Sequence, residues 1–159
     1  MMPWIDAATV PGRPGAAHRS ALLASWLALW LLLAACAGVP VSYYDATTYA
    51  NLVDLKVDTT LLVGTFDTTR LKENQTQIAA VSRNLKRAYE YERGKGDPNS
   101  DTVKQLDIIM NLFNEDVQTY RDNGPGTLGK RYFQEAAGVL GQAFDIAIAT
   151  ENEKNKDKR

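Results

Sequence analysis

After residue 44, apolar residues return at alternating spacings of three and four along four stretches, and each stretch predicts an amphipathic helix. The clearest covers 101–122, where Val103, Leu106, Met110, Phe113, Val117 and Tyr120 share one face. Ile109 and Leu112 widen that face, while Asp107, Asn111, Gln118 and Arg121 take the opposite side. Ser100 is the expected N-cap, with Asp101 favourable in the first turn, and Asn123-Gly124-Pro125-Gly126 marks the end. A last helix is expected over 127–152, with Phe133, Ala136, Ala137, Leu140, Ala143, Phe144, Ala147 and Ile148 on one face. Gly138 and Gly141 lie inside it, each costing about 1 kcal/mol relative to alanine, and small residues at this density predict close approach of a neighbouring helix.

The second helix, 69–93, carries Leu71, Ile78, Val81, Leu85, Ala88 and Tyr89 on one side and stops at Gly94-Lys95-Gly96. The first, 45–66, has Tyr49, Leu52, Leu55, Thr59, Leu62 and Phe66 at helical spacing. It also has β-branched Val57, Thr59, Thr60, Val63 and Thr65, which favour strand slightly. A strand there would find no partner in the rest of the chain, so helix is the expectation. Four such helices with short connections predict an all-α fold, an antiparallel bundle over 45–152. Residues 153–159 are expected as a charged, frayed tail, the charge run itself beginning at Glu151.

The N-terminal third has a different pattern. Residues 1–20 hold Pro3, Pro11 and Pro14, with Arg13, His18 and Arg19 near their end. Ala21 to Ala35 then runs without a charge, reaching roughly 22 Å as a helix against a hydrocarbon core about 30 Å thick. A positive segment, a short apolar run and small residues before the break predict a signal peptide over 1–35. Leu33-Ala34-Ala35-Cys36 resembles the lipobox of bacterial lipoproteins, the sequence read by their signal peptidase.

That resemblance covers the leader and Cys36 alone. It implies a diacylglycerol on the Cys36 thiol, cleavage before Cys36, and acylation of the new amino group with palmitate-class chains. Two or three chains anchor stably where one does so only marginally, at about 0.8 kcal/mol per buried methylene. Ala37 follows the cysteine where aspartate would signal inner-membrane retention, so the resemblance implies an outer-membrane lipid anchor facing the periplasm. Residues 36–44 would form a tether of at most about 30 Å. The small outer-membrane lipoprotein that is joined to peptidoglycan ends in lysine, whereas this chain ends Lys158-Arg159; covalent tethering is not expected.

Removing the leader changes the composition. The whole chain of 159 residues has 18 Lys and Arg against 19 Asp and Glu, with one His, one Cys and three Trp. His18 and all three tryptophans fall in the leader, so the remaining chain has no imidazole. Histidine-based acid–base catalysis, Ser-His-Asp triads and His-ligated metals are thereby excluded. Paired carboxylates, Asp54 with Asp58 and Asp107 with Glu115, read as surface charge, and no enzyme activity is expected.

Two fragments resemble ligand loops and fail on inspection. Gly124 to Gly129-Lys130 has phosphate-loop spacing, but Arg131 stands where Ser or Thr should meet magnesium, and a helix precedes it. Asp97-Pro98-Asn99-Ser100-Asp101 opens like a calcium loop, but Thr102 and Ile108 occupy the glycine and glutamate positions. No metal, cofactor, nucleotide or nucleic acid is therefore expected.

Arg83, Lys86, Arg87, Arg93 and Lys95 form a basic cluster offset by Glu90 and Glu92. It is a candidate patch for an anionic partner, against the plainer reading of a solvated face with Lys86–Glu90 pairing. Tyr132, Val139 and Ile146 form a second stripe on the last helix, roughly 60–100° from its central one at about 100° per residue. Either neighbouring helices bury it or it serves as an interface. The function expected is a lipid-anchored interaction or scaffold component of the envelope, with an envelope protein or a second copy as partner. The alternative is a periplasmic module binding a small ligand or lipid.

Overall fold

Among the described residues, four helices alternate in direction around one apolar core, giving an all-α antiparallel bundle, as the periodicity predicts. The computed structural model describes residues 43–129 and 131–154. The helices are α1 (Ala46–Gly64), α2 (Leu71–Gly94), α3 (Ser100–Asn123) and α4 (Tyr132–Glu153), with a 3-10 turn at Asp97–Asn99 before α3. α1 packs between α2 and α4, and α3 closes the ring.

The β-branched residues of α1 do not break it. Thr60 Oγ1 donates to the carbonyl of Lys56 at 2.7 Å and Thr65 Oγ1 to that of Leu62 at 2.6 Å, so both hydroxyls are satisfied on their own helix. Leu52, Leu55, Thr59, Leu62 and Val63 turn inward, with Phe66 just beyond the helix end. Opposite them lie Leu106, Ile109, Phe113 and Val117 of α3, and Phe133, Leu140, Phe144 and Ala147 of α4. Gly141 is buried on the side of α4 that faces α1. A Cβ there would meet Thr60 Cγ2 at 3.7 Å and Lys56 Cε at 3.9 Å, while Gly138 faces open space. A methyl group would fit at either position, so the close approach expected from the two α4 glycines is not one that requires glycine.

The two ends of the bundle differ. At the Phe66 end, Phe66 stacks on Tyr120 with centroids 4.1 Å apart, and Phe133 meets both edge-on at 5.4 and 5.8 Å. The Tyr120 hydroxyl donates to the Thr69 carbonyl and accepts from Asn74 at 3.3 Å, which closes the α1–α2 turn over the aromatics. At the other end, where α1 begins and α4 finishes, the core gives way to a polar cluster. Two boundaries depart from expectation. α4 starts at Tyr132, because Gly126 (φ 72°) and Gly129 (φ 103°) adopt left-handed backbone that a helix excludes. Ser100 is the first helical residue, not the N-cap; Asn99 precedes it.

Candidate functional site

The polar cluster is built from one pattern used twice. α2 and α4 each carry a glutamate close to their C-terminus, with a lysine three residues on. Glu92 and Glu151 are 1% and 0% exposed, and their lysines, Lys95 and Lys154, reach back at 2.8 and 2.7 Å. Burial of charge costs less the more partners it has; both Glu151 oxygens are bonded, whereas Glu92 is bonded through Oε1 and its Oε2 is buried with no partner among the described residues. Lys154 donates to Asn99 Oδ1 and Thr102 Oγ1, which fastens the end of α4 to the start of α3. Glu92 accepts from Thr48, and Lys95 donates to both Thr48 and Asp45.

Asp45 is where these strands of polar contact meet. Its backbone N–H donates to Glu151 Oε1 at 2.7 Å, and its side chain caps α1 by accepting from the Thr47 N–H at 2.8 Å. The second carboxylate oxygen takes the Tyr91 hydroxyl and the Lys95 ammonium, each at 2.7 Å. The Lys95 contact above all holds Asp45 well below the usual carboxylate range, with Tyr91 and Thr47 adding to it against some burial. Burial would lower the Lys95 pKa, but the carboxylates of Asp45 and Glu92 outweigh that and raise it. The first turn of the bundle is thus tied to α2, to the turn after it, and to α4.

This accounts for Lys95, and the five basic residues read as a patch do not act together. Lys86 pairs with Glu90 at 2.7 Å and lies 4.7 Å from the Tyr89 ring centroid. Arg93 reaches the same Glu90 at 3.5 Å, Arg87 bonds Asn84 Oδ1, and Lys95 is spent inside the cluster. Arg83 and Arg87 are left without a carboxylate among the described residues. Glu151 and Lys154, read from the sequence as opening a loose charged tail, are ordered parts of the bundle. The lipobox residues Leu33, Ala34, Ala35 and Cys36 lie outside the described residues, as does Lys130.

Between α1 and α2 runs a groove of about 450 Å³, walled by Asn51, Asp54, Asp58, Asn84, Arg87 and Tyr91. It continues into a space of about 330 Å³ beside Leu61, Gln77 and Ala80. Asp54 and Asp58 thus share a wall, as their one-turn spacing requires, and neither makes an ion pair among the described residues. The bundle interior itself is filled by Phe66, Phe113, Tyr120, Phe133 and Phe144, all essentially without exposure.

The second stripe of α4 is not buried. Tyr132, Val139 and Ile146 are 42%, 51% and 61% exposed, and Ile108 on α3 is 55% exposed. The α3–α4 register brings these together. Gln105 donates to Thr150 Oγ1 at 2.7 Å, Lys154 reaches Thr102, and the Tyr120 and Phe133 rings meet at 5.8 Å. Running antiparallel between those contacts, Ile108 comes abreast of Ile146, Leu112 of Ala143, and Asp116 of Val139. The result is a largely apolar strip along the α3–α4 edge, with Asp116 half-buried in it and exposed Glu115 and Glu135 beside it. No family model, curated protein or solved structure matches the chain. The class that the geometry defines is the antiparallel four-helix bundle, and no described helix is long and apolar enough to cross a membrane.

Proposed function

We propose that this protein is a lipid-anchored helical component of the bacterial envelope that docks a partner protein at the membrane surface. In this reading Cys36 carries the lipid and the α3–α4 strip is the docking face. The anchor lies in the outer membrane, facing the periplasm. The observation that carries the docking role is the exposure of Val139, Ile146 and Ile108 in one row, which a self-sufficient bundle would cover or replace with polar residues. The arrangement around Asp45 supports the anchoring role. A chain held by lipid at Cys36 would pull on the first turn of α1, and that turn is tied to α2 and α4 by charged hydrogen bonds instead of fraying.

The alternative, a small-ligand module, has the α1–α2 groove in its favour. The filled aromatic interior argues against a ligand inside the bundle. Metabolic labelling with a fatty acid tests the anchor: label is expected on the native chain and lost in Cys36→Ser, and label retained on the serine variant would end the lipoprotein reading. Val139→Asp in the lipidated chain tests docking. It is expected to lower recovery of a membrane partner while the bundle stays folded; unchanged recovery of that partner would remove the strip from the account.

A further inference from the structure

The strip is apolar at both ends and acidic in the middle, and this combination says what covers it. From Gln105 to Tyr120, α3 carries Asp107, Glu115 and Asp116 and no lysine or arginine, and Lys104, one turn before Ile108, is paired with Asp101 at 3.3 Å; α4 carries Glu135, Asp145, Glu151 and Glu153 and no lysine or arginine. Asp145 is answered by Lys56 and Glu151 by Lys154. Asp116 is not answered: it is half-buried, abreast of Val139, with no hydrogen-bond donor or cation upon it among the described residues. Burial, and after it the neighbouring Glu115, push its carboxyl up to about 6. A partly desolvated carboxylate without a partner is a local cost that the bundle gains nothing from by itself.

Resting on the docking role proposed above, we infer that the α3–α4 strip takes a basic amphipathic helix of a partner protein, whose apolar residues cover Val139 and Ile146 and whose lysine or arginine meets Asp116. Charge complementarity selects this occupant over the others. A second copy using the same face would bring its own Asp116, Glu115 and Glu135 against those of the first, like charges in a desolvated contact. An anionic lipid surface would be repelled in the same way. A helix laid along the α3–α4 edge would set its apolar face on the strip, with anchors one and two turns apart.

The test uses the full chain in non-ionic detergent, with protein-free detergent as blank. The probe is a fluorescently labelled, capped helical peptide of leucine and lysine with leucines along one face, alongside a twin carrying glutamate for lysine. Anisotropy is expected to show saturable binding of the lysine peptide and none of the twin. Asp116→Asn is expected to weaken binding about tenfold, and the double change Val139→Gln with Ile146→Gln comparably. Asp107→Asn, on another side of α3, is expected to leave it within about twofold. Equal binding of the glutamate twin, or equal loss with Asp107→Asn, overturns the inference. Loss with the double change but none with Asp116→Asn overturns the cation while leaving the strip as a docking face. Indifference to all three variants overturns both. Sedimentation showing a dimer that Val139→Asp dissociates also overturns the inference, by naming a second copy as occupant.

Discussion

Replacing Asp116 by asparagine should stabilise the free protein at neutral pH and do nothing for it in acid. In the folded chain burial moves this carboxyl from 3.8 to about 6. Between those two values the folded protein holds a proton that the unfolded chain has released, so stability falls as pH rises, and above the higher value the loss is complete. A shift of that size corresponds to about 3 kcal/mol at roughly 1.36 kcal/mol per unit for a fully desolvated group. Asp116 is only half-buried, and solvent screening reduces the figure to about 1–2 kcal/mol. Asparagine has nearly the same shape and no charge, so it removes that cost. In urea unfolding of the full chain followed by circular dichroism, Asp116→Asn should be more stable by about 1–2 kcal/mol at about pH 7.5, or about 4–8 °C in a thermal scan of a domain this size. Near pH 4 the two proteins should coincide, because the native carboxyl is then protonated in the fold. Groups such as Asp45, whose lowered pKa makes stability fall in acid, act on both proteins equally and cancel in the difference. An asparagine variant that is less stable at neutral pH, or a difference independent of pH, would refute the description of Asp116 as an unanswered carboxylate.

Two further substitutions probe the framework. Glu151→Ala leaves the Lys154 ammonium and the Asp45 N–H without their acceptor inside the bundle end, and should cost about 3–5 kcal/mol in urea unfolding; a loss below about 1 kcal/mol would show that water already solvates that pair. Gly138→Ala, in open space within α4, should raise stability by about 1 kcal/mol in thermal melting, and any loss would mean that the position needs its glycine for something other than room.

The helices were legible because their inward faces follow a strict three-and-four spacing. Even α1, whose threonines and valines point toward strand, is helical, as the lack of a pairing partner predicts; Thr60 and Thr65 close on carbonyls of the same helix, while the Thr59 hydroxyl is buried with no partner among the described residues. The exposed stripe of Tyr132, Val139 and Ile146 was visible as excess apolar width on α4, though not whether a neighbour would cover it. What the pattern hid were the buried charges. Glu92 and Glu151 stand in charged runs at helix ends and look like solvated surface; their burial depends on Asp45, Thr48, Asn99 and Thr102, up to 106 residues away in the chain. The one local trace is the repeated glutamate and lysine three residues apart. Asp116 escaped notice for the opposite reason. It is one acid among several on α3; helical spacing alone sets it opposite Asp107, but only the register with α4 sets it beside Val139.

The central claim is that the α3–α4 edge is a protein-docking face of a membrane-anchored bundle. It is tested most directly by a photo-crosslinking amino acid placed at Val139 or, as a control, at exposed Gln134, roughly half a turn of α4 away from the strip, in the lipidated chain in its own membrane. The account predicts a discrete adduct from position 139, none from 134, and loss of the 139 adduct on adding Asp116→Lys. Adducts of equal yield from both positions, or a 139 adduct indifferent to the charge at 116, would contradict it.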